Sequence, residues 1–404
     1  MVRRSRIAML AAGTAVAGLL TACGITGTPV ASEPDVRALE VGPYPVDRHR
    51  YDQDSHGRGA VLEGLRMADA VVPTVGIDPA LSVGVDAGVV ADSDTAVQGY
   101  LAGVSKPVLD RHKMVVAYRA IGADRPYEPF QVDQAGAGPD VTIVMQMLMR
   151  FPSATDATQA ARELEEVDFQ VAPDQNRRLR HPDYPDALIH WRPGVSNIGA
   201  FVAYREFVLF TFVQRPRADE QDLLGWVGTT LRAEMPTLKG FSATPVDRLN
   251  GLQVDPDGLL ARVTVRDRNR ELDPDLFSAQ PPVSLVHTAS NQAAARRTIE
   301  ESGIDGYATI DNSAVFRVRD ADKSPALIAD LSSGAGDEFD PVDAPRDVPG
   351  ATCQRLNRRG DVETQYKYRC YVPYKRYVAI VAGDSEADVR QRVAAQYALL
   401  ANSL

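Results

Sequence analysis

The first cysteine of the sequence, Cys23, ends a stretch that has the features of an export signal. Arg3, Arg4 and Arg6 supply positive charge, and an uncharged, mainly apolar run of fourteen residues follows over 7–20. A charged start, an apolar run of this length and small residues at its end are typical of a secretory signal. A membrane-spanning helix would need ~20 apolar residues. The sequence therefore predicts export from the cytoplasm.

The residues that end with Cys23, "LTAC" over 20–23, resemble the lipobox of bacterial lipoproteins. The resemblance implies removal of a signal peptide over 1–22 and a diacylglyceryl thioether on Cys23. Two or more acyl chains, at ~0.8 kcal/mol per buried methylene, hold a protein stably on a membrane. The alternative is a plain signal peptide followed by an ordinary cysteine. Residues 23–45 contain four prolines and are predicted to form an extended tether.

Two further cysteines, Cys353 and Cys370, complete the cysteine content of the chain. An even number of cysteines in an exported protein predicts a disulfide, and the alternative is two free thiols. Closing a loop of this length restricts the unfolded chain by roughly 3 kcal/mol in the loop-entropy model.

A basic and aromatic segment, "TQYKYRCYVPYKRYV" over 364–378, surrounds the second of these cysteines. Strand alternation puts Lys367, Arg369 and Tyr371 on one face, with Lys375 and Arg376 nearby. Such a patch could bind an anionic lipid headgroup or a sugar through charge and stacking. The alternative is a solvated sheet face whose tyrosines cover the edge of the core.

The sequence lacks the local motifs of common catalytic and nucleotide-binding sites. "GVSNIG" over 194–199 fails the spacing of a nucleophile elbow and reads as a turn, and "AGAGPD" over 135–140 lacks the third glycine of a dinucleotide loop. His49 and His56 bracket an acidic segment, where an exposed loop is the better interpretation than a metal site. No catalytic residue, metal site or cofactor is predicted.

The charge of the mature chain argues against nucleic acid as a partner. Removal of the three signal arginines leaves 41 basic and 54 acidic residues, and therefore a net charge of −13. Nucleic acids and anionic headgroups attract basic surfaces. Membrane contact is accordingly expected through the acyl chains.

Two segments separated by 170 residues indicate an internal duplication. In "AFVAYREFV" over 200–208 and "CYVPYKRYV" over 370–378, two valines and one tyrosine recur at the same spacing. A helix with one apolar stripe is predicted after each segment. The alignment also predicts that Cys353 faces Cys370 across a hairpin, as Ile189 faces Ala200 in the first copy.

These patterns predict an α+β fold of two related modules, each an antiparallel sheet backed by helices. The predicted N-terminal domain covers 46–245, and the predicted C-terminal domain with the disulfide covers 259–404. Residues 246–258, which are rich in Gly, Pro and Asp, are predicted to link them.

The lipobox, the segment "LEGLRMA" over 62–68, the duplication and the hairpin cysteines together resemble a family of cell-envelope lipoproteins from mycobacteria and related actinobacteria. The resemblance implies an outward-facing envelope protein with α+β domains of PsbP-like type. It carries over no catalytic residue.

Three functions are compatible with the sequence. The leading hypothesis is a non-enzymatic, lipid-anchored protein that binds an amphipathic small molecule, lipid or glycan between or upon its modules. The second is a scaffold lipoprotein whose partner is another envelope protein. The third, a hydrolase, requires catalytic groups that converge from distant segments.

Overall fold

The computed structural model describes residues 33–126, 140–269, 272–274, 277–334 and 336–404. The predictions for the signal peptide, for Cys23 and for the tether up to residue 32 lie outside the described residues. Asp35–Leu404 form one compact unit.

The first module is built on a seven-stranded antiparallel sheet with the order β1-β2-β3-β7-β6-β5-β4. Its strands are β1 (Val83–Val90), β2 (Val116–Ala123), β3 (Ile143–Arg150), β4 (Arg177–Leu179), β5 (Leu188–Trp191), β6 (Asn197–Tyr204) and β7 (Phe207–Gln214). Its helices are α1 (Gly59–Arg66), α2 (Ser93–Val97), α3 (Lys106–Arg111), α4 (Ala154–Phe169) and α5 (Glu220–Gly240).

The second module has a sheet of the same size and topology, ordered β8-β9-β10-β14-β13-β12-β11. Its strands are β8 (Ser278–Gln280), β9 (Ile304–Ile310), β10 (Ser313–Val318), β11 (Phe339–Val342), β12 (Thr352–Leu356), β13 (Tyr368–Tyr374) and β14 (Tyr377–Gly383). Its helices are α6 (Val283–His287), α7 (Gln292–Ser302), α8 (Ser324–Ser333) and α9 (Glu386–Ser403). The prediction of two related α+β modules is confirmed.

Helices cover both faces of each sheet. In the first module α5 packs on one face and α4 on the other, and alternate strand residues form two separate apolar cores. In the second module α9 and α8 take the corresponding places. Both faces of a strand are therefore buried, because each face meets a helix.

The long helix that closes each module begins with a side-chain cap. Asp219 accepts a hydrogen bond from the Asp222 amide at 2.9 Å, and Ser385 accepts one from the Asp388 amide at 3.5 Å. Such caps satisfy amides that have no partner within the helix. Leu223, Val227 and Leu231 of α5 are buried, as are the corresponding residues of α9, Val389, Val393, Tyr397 and Leu400.

The predicted tether needs a correction, because its part from Val36 onward is packed against the second module. A 3₁₀ helix covers Val36–Ala38, and the side chains of Leu39 and Tyr44 are buried. The Tyr44 hydroxyl donates to Asp388 Oδ1 on α9 at 2.7 Å. Tyr51 also lies in the core of the second module, so the segment before α1 packs with the far end of the chain.

The predicted linker is likewise folded. Val246–Gly251 form a 3₁₀ helix, and Leu249 and Val254 are buried. The Asp255 carboxylate accepts hydrogen bonds from the amides of Leu260 and Ala261, both at 2.9 Å. These contacts with buried backbone amides hold the segment that connects the two modules in place. The composition of the segment does not reveal them.

The two modules share polar contacts. The Gln292 side chain accepts hydrogen bonds from the Val75 amide at 2.9 Å and the Thr74 hydroxyl at 3.2 Å. The Gly84 amide donates to the Ala289 carbonyl at 2.8 Å. None of the helices within the described ranges combines the length and apolar character that crossing a bilayer requires.

Candidate functional site

The basic patch predicted on the second module is not a single surface. Lys367 precedes β13, whereas Lys375 and Arg376 form the turn between β13 and β14. At 3.3 Å per residue, extended chain separates Lys367 from Lys375 by roughly 25 Å. Lys367 therefore lies at the opposite end of β13 from Lys375 and Arg376.

Within this predicted patch, Tyr371 requires a correction because its side chain is fully buried. Its hydroxyl donates to the Leu331 carbonyl of α8 at 3.1 Å, so α8 covers the face that the prediction left open to solvent. The Arg369 guanidinium lies 4.9 Å from the centre of the Phe339 ring, and Arg376 pairs with Asp305 at 2.7 Å. These contacts assign structural roles to three of the five residues.

The structure contains the predicted disulfide between Cys353 and Cys370. The two residues are direct partners on β12 and β13. Their counterparts Ile189 and Ala200 are direct partners on β5 and β6. The bridge therefore takes the place of an apolar cross-strand contact.

A cleft of about 390 Å³ opens in the first module beside the end of α4. Phe210 and Phe212 of β7 provide aromatic surface, and Leu101 lies on the loop before α3. The polar lining includes Asp168, Asn176, His190, Arg192 and Asn197. Apolar surface with a few convergent polar groups is the usual composition of a ligand site.

His190 is held between two carboxylates in this cleft. Its Nδ1 lies 3.3 Å from Glu165 Oε1, and its Nε2 lies 3.5 Å from Asp168 Oδ2. Arg178 donates to Glu165 at 3.0 to 3.2 Å. Burial opposes the charge of Glu165, but the neighbouring His190 and the hydrogen bonds from Arg178 outweigh it and lower the pKa of that carboxyl.

The pKa of Asp168 shifts in the opposite direction from that of Glu165. Burial raises the pKa of Asp168, although the charges of His190 and Arg192 favour its ionised form. The side chain is 31% exposed and faces the cleft. Asp168 is therefore the carboxyl of this cluster that a ligand can reach.

The duplication explains why the cleft opens in one module. His190 pairs with Gly199 across β5 and β6, and the corresponding pair on β12 and β13 is Gln354 with Arg369. A Cβ atom added to Gly199 would lie 3.3 Å from Phe210 Cε2. A larger side chain at position 199 would therefore press on the Phe210 ring at the edge of the cleft, whereas the second module places an arginine at the equivalent position.

A serine lies near these groups without forming a catalytic array. Ser105 lines the cleft, and its buried Oγ has no hydrogen-bond partner among the described residues. His190 therefore does not hold the Ser105 hydroxyl, and its two nitrogens face Glu165 and Asp168 instead. Within the part of the chain that the structure describes, no group of three or more His, Cys, Asp or Glu residues could hold a metal ion.

Sequence reasoning missed this cleft, although one signal was present. The hairpin alignment places Gly199 opposite His190 and gives an arginine at the equivalent place in the second copy. A glycine opposite a large polar residue on paired strands often marks a close approach of a ligand or backbone. The contribution of Asp168 depends on where α4 ends, which spacing alone does not fix.

Two sheets of the same topology and an amphipathic cleft in one of them define a duplicated α+β protein. The chain belongs to the DUF7373 family: the model described as domain of unknown function (DUF7373) N-terminal matches residues 50–254, and the DUF7373 C-terminal model matches residues 259–403. No curated protein matches the chain. The crystal structure of the extracellular domain of PknH from Mycobacterium tuberculosis aligns with 11% identity and a TM-score of 0.28, over 48% of this chain and all of that domain.

Proposed function

We propose that the protein is an extracytoplasmic lipoprotein that binds an amphipathic small molecule in the cleft of the first module without transforming it. The acyl chains on Cys23 anchor it to the membrane, and its folded modules face away from the cytoplasm. The open space beside Gly199, His190 and Asp168 is the observation that carries the binding role.

Three sequence features support the location. The charged start, the apolar run and the lipobox favour lipidation at Cys23 after export. The disulfide between Cys353 and Cys370 supports it independently, because such bonds persist in oxidising compartments. A two-chain anchor gives stable membrane attachment.

The composition of the cleft supports an amphipathic ligand. Phe210, Phe212 and Leu101 can bury an apolar portion, while Asp168 and Arg192 offer opposite charges to a polar portion. The volume of about 390 Å³ lies in the range of small-molecule sites. A ligand that carries both charges and an acyl chain would satisfy each part of the lining.

The environment of His190 supports binding without catalysis. A general base needs a free nitrogen within hydrogen-bond reach of the group that it deprotonates. The two nitrogens of His190 lie 3.3 and 3.5 Å from carboxylate oxygens, and the buried Ser105 hydroxyl has no hydrogen bond to either of them. A hydrolytic mechanism would require these contacts to rearrange.

The test is binding of short-chain lysophosphatidylcholine, below its micellar concentration, to the mature protein by isothermal titration calorimetry. Gly199→Arg copies the residue of the second module and fills the cleft, so we expect at least a tenfold loss of affinity. Gly225→Arg is the matched control, because Gly225 lies on an exposed face of α5 with open space around it.

Equal affinity in the two variants would contradict the assignment of the cleft. Absence of binding by the wild-type protein to lysophosphatidylcholine, and to alkyl maltosides in the same assay, would contradict the binding role. Stoichiometric recovery of an envelope protein under those conditions would favour the scaffold alternative.

A further inference from the structure

A second cavity, of about 430 Å³, lies between the two modules. The first module contributes residues of α1, β1 and β2, including Val61, Leu65 and Tyr118. The second contributes residues of β8, α6 and β9, including Leu285 and Tyr307. A molecule in this intermodule cavity would contact both halves of the protein at once.

Two tyrosine hydroxyls line this cavity without hydrogen-bond partners in the described structure. Tyr118 is 3% exposed, and Tyr307 is half-buried. Burial raises the pKa of Tyr307 to about 12 and also raises that of Tyr118, so both remain neutral donors. Neither hydroxyl is a fully buried atom, so each can donate a hydrogen bond to a molecule that enters the cavity.

The two rings are held in place from behind. Tyr307 stacks on Phe316 with 5.0 Å between ring centres. Tyr118 lies 5.6 Å from the ring of His287, for which burial lowers the pKa to about 4. The imidazole is thus neutral at physiological pH, and both phenols are positioned before any ligand arrives.

The rest of the described lining carries no charged side chain. Its polar members include Gln280 and Thr288, and Gln280 donates to Ser278 Oγ at 2.6 Å through its amide nitrogen. Aliphatic groups of Val61, Leu65 and Leu285 complete the wall. A charged ligand would lose its hydration here without gaining an opposite charge, which is costly.

We propose that the intermodule cavity is a second binding site, which takes an uncharged ligand through hydroxyl or carbonyl oxygens that accept from Tyr118 and Tyr307. A neutral sugar and an acylglycerol both present this chemistry. The site differs from the cleft at His190, whose lining offers Asp168 and Arg192. A bound ligand would tie the modules together and stabilise their contact.

The experiment measures binding to the mature protein by native mass spectrometry and by the shift of the thermal midpoint. The neutral probes are methyl glucoside and monooctanoylglycerol, and the matched charged probes are glucuronate and octanoate. We expect at least one neutral probe to bind and raise the midpoint, and both charged probes to bind at least tenfold more weakly. Whichever neutral probe binds identifies the source of the oxygen acceptors.

Variants locate the site. Tyr118→Phe/Tyr307→Phe keeps both rings and removes only the hydroxyls, so we expect at least a tenfold loss of affinity for the neutral probe. Tyr377→Phe, a buried tyrosine outside the cavity, should change nothing, and Gly199→Arg should leave this binding intact. Failure of both neutral probes, equal binding of the charged probes, or full affinity in the double variant would overturn the proposal. None of these outcomes affects the separate test of lysophosphatidylcholine binding at the cleft beside His190.

Discussion

At the scale of single residues, the main surprise is the number of buried charges. Glu63 is fully buried and pairs with Arg150 at 2.8 Å, and Arg150 is itself 2% exposed. Glu63 also accepts from the Thr244 amide at 2.9 Å. The helix that carries Glu63 could be predicted from its apolar stripe. The burial of Glu63 could not be predicted from the sequence, because glutamate is mostly exposed unless it is paired.

A second buried acid, Glu234 of α5, makes stability depend on pH. Burial raises its pKa to about 8, and one hydrogen bond from the Val72 amide, at 2.9 Å, offsets this only in part. An unfolded glutamate titrates near ~4.3. Between those values the folded state holds one proton more than the unfolded state, so this group lowers stability as pH rises.

His287 has the opposite effect on the pH dependence of stability, and it acts over a lower range of pH. Burial lowers its pKa to about 4, against ~6.5 in an unfolded chain. The unfolded state therefore binds the extra proton between those values, and stability rises with pH there. The two residues oppose each other up to about pH 6.5, and above it Glu234 acts without His287.

Glu234→Gln therefore becomes more stable relative to the wild type as pH rises from 6.5 to 8. The amide keeps an acceptor for Val72 and cannot ionise. Urea unfolding of both proteins at pH 6.5, 7.2 and 8 measures the difference. Glu301→Gln, on the exposed surface of α7, is the control and should show no such trend. A difference that is constant with pH would contradict the burial argument.

At the scale of elements, the paired hairpins show what the sequence could predict. The recurrence at an offset of 170 residues predicts strands, a following helix and the partner of each cysteine, and the structure agrees at all three. The first two strands of each sheet, β1 and β2 in the first module and β8 and β9 in the second, lie outside that recurrence. Tyr371 was misassigned because alternation within one strand shows which side chains share a face, and not which faces a helix covers.

The disulfide can be tested against its apolar counterpart. Cys353→Ile/Cys370→Ala copies Ile189 and Ala200, so we expect the hairpin to keep its register. The variant should lose about 3 kcal/mol of unfolding free energy, because the unfolded loop is no longer closed.

Urea unfolding without reductant measures this loss, and the wild type treated with dithiothreitol should approach the stability of the variant. An unchanged unfolding midpoint in the variant would show that the bridge does not stabilise the module.

At the scale of the whole molecule, the N-terminal and C-terminal ends of the folded unit pack together. Tyr44 contacts α9 through Asp388, and the Arg392 guanidinium lies 5.2 Å from the centre of its ring. The composition of this segment, rich in proline, predicts an extended chain. Its contacts come from residues more than 300 positions away, which no local pattern reveals.

The proposed anchor is tested by Cys23→Ala. Without the thiol no acyl chain can be attached, so the protein should leave the membrane fraction and lose metabolic labelling with palmitate. Cys353→Ile/Cys370→Ala is the control, because it keeps Cys23 and should remain labelled and membrane-bound. Palmitate labelling of the Cys23→Ala protein would contradict the lipoprotein assignment.

Two sheets with the same strand order in one chain create a hazard during folding, since a strand from one copy can add to the other. The covalent crosslink joins neighbouring strands in one copy only. Once closed, it commits those strands to each other and withdraws them from exchange with their counterparts. Because the disulfide lies in the second module alone, it helps the two sheets of the folding chain to form separately.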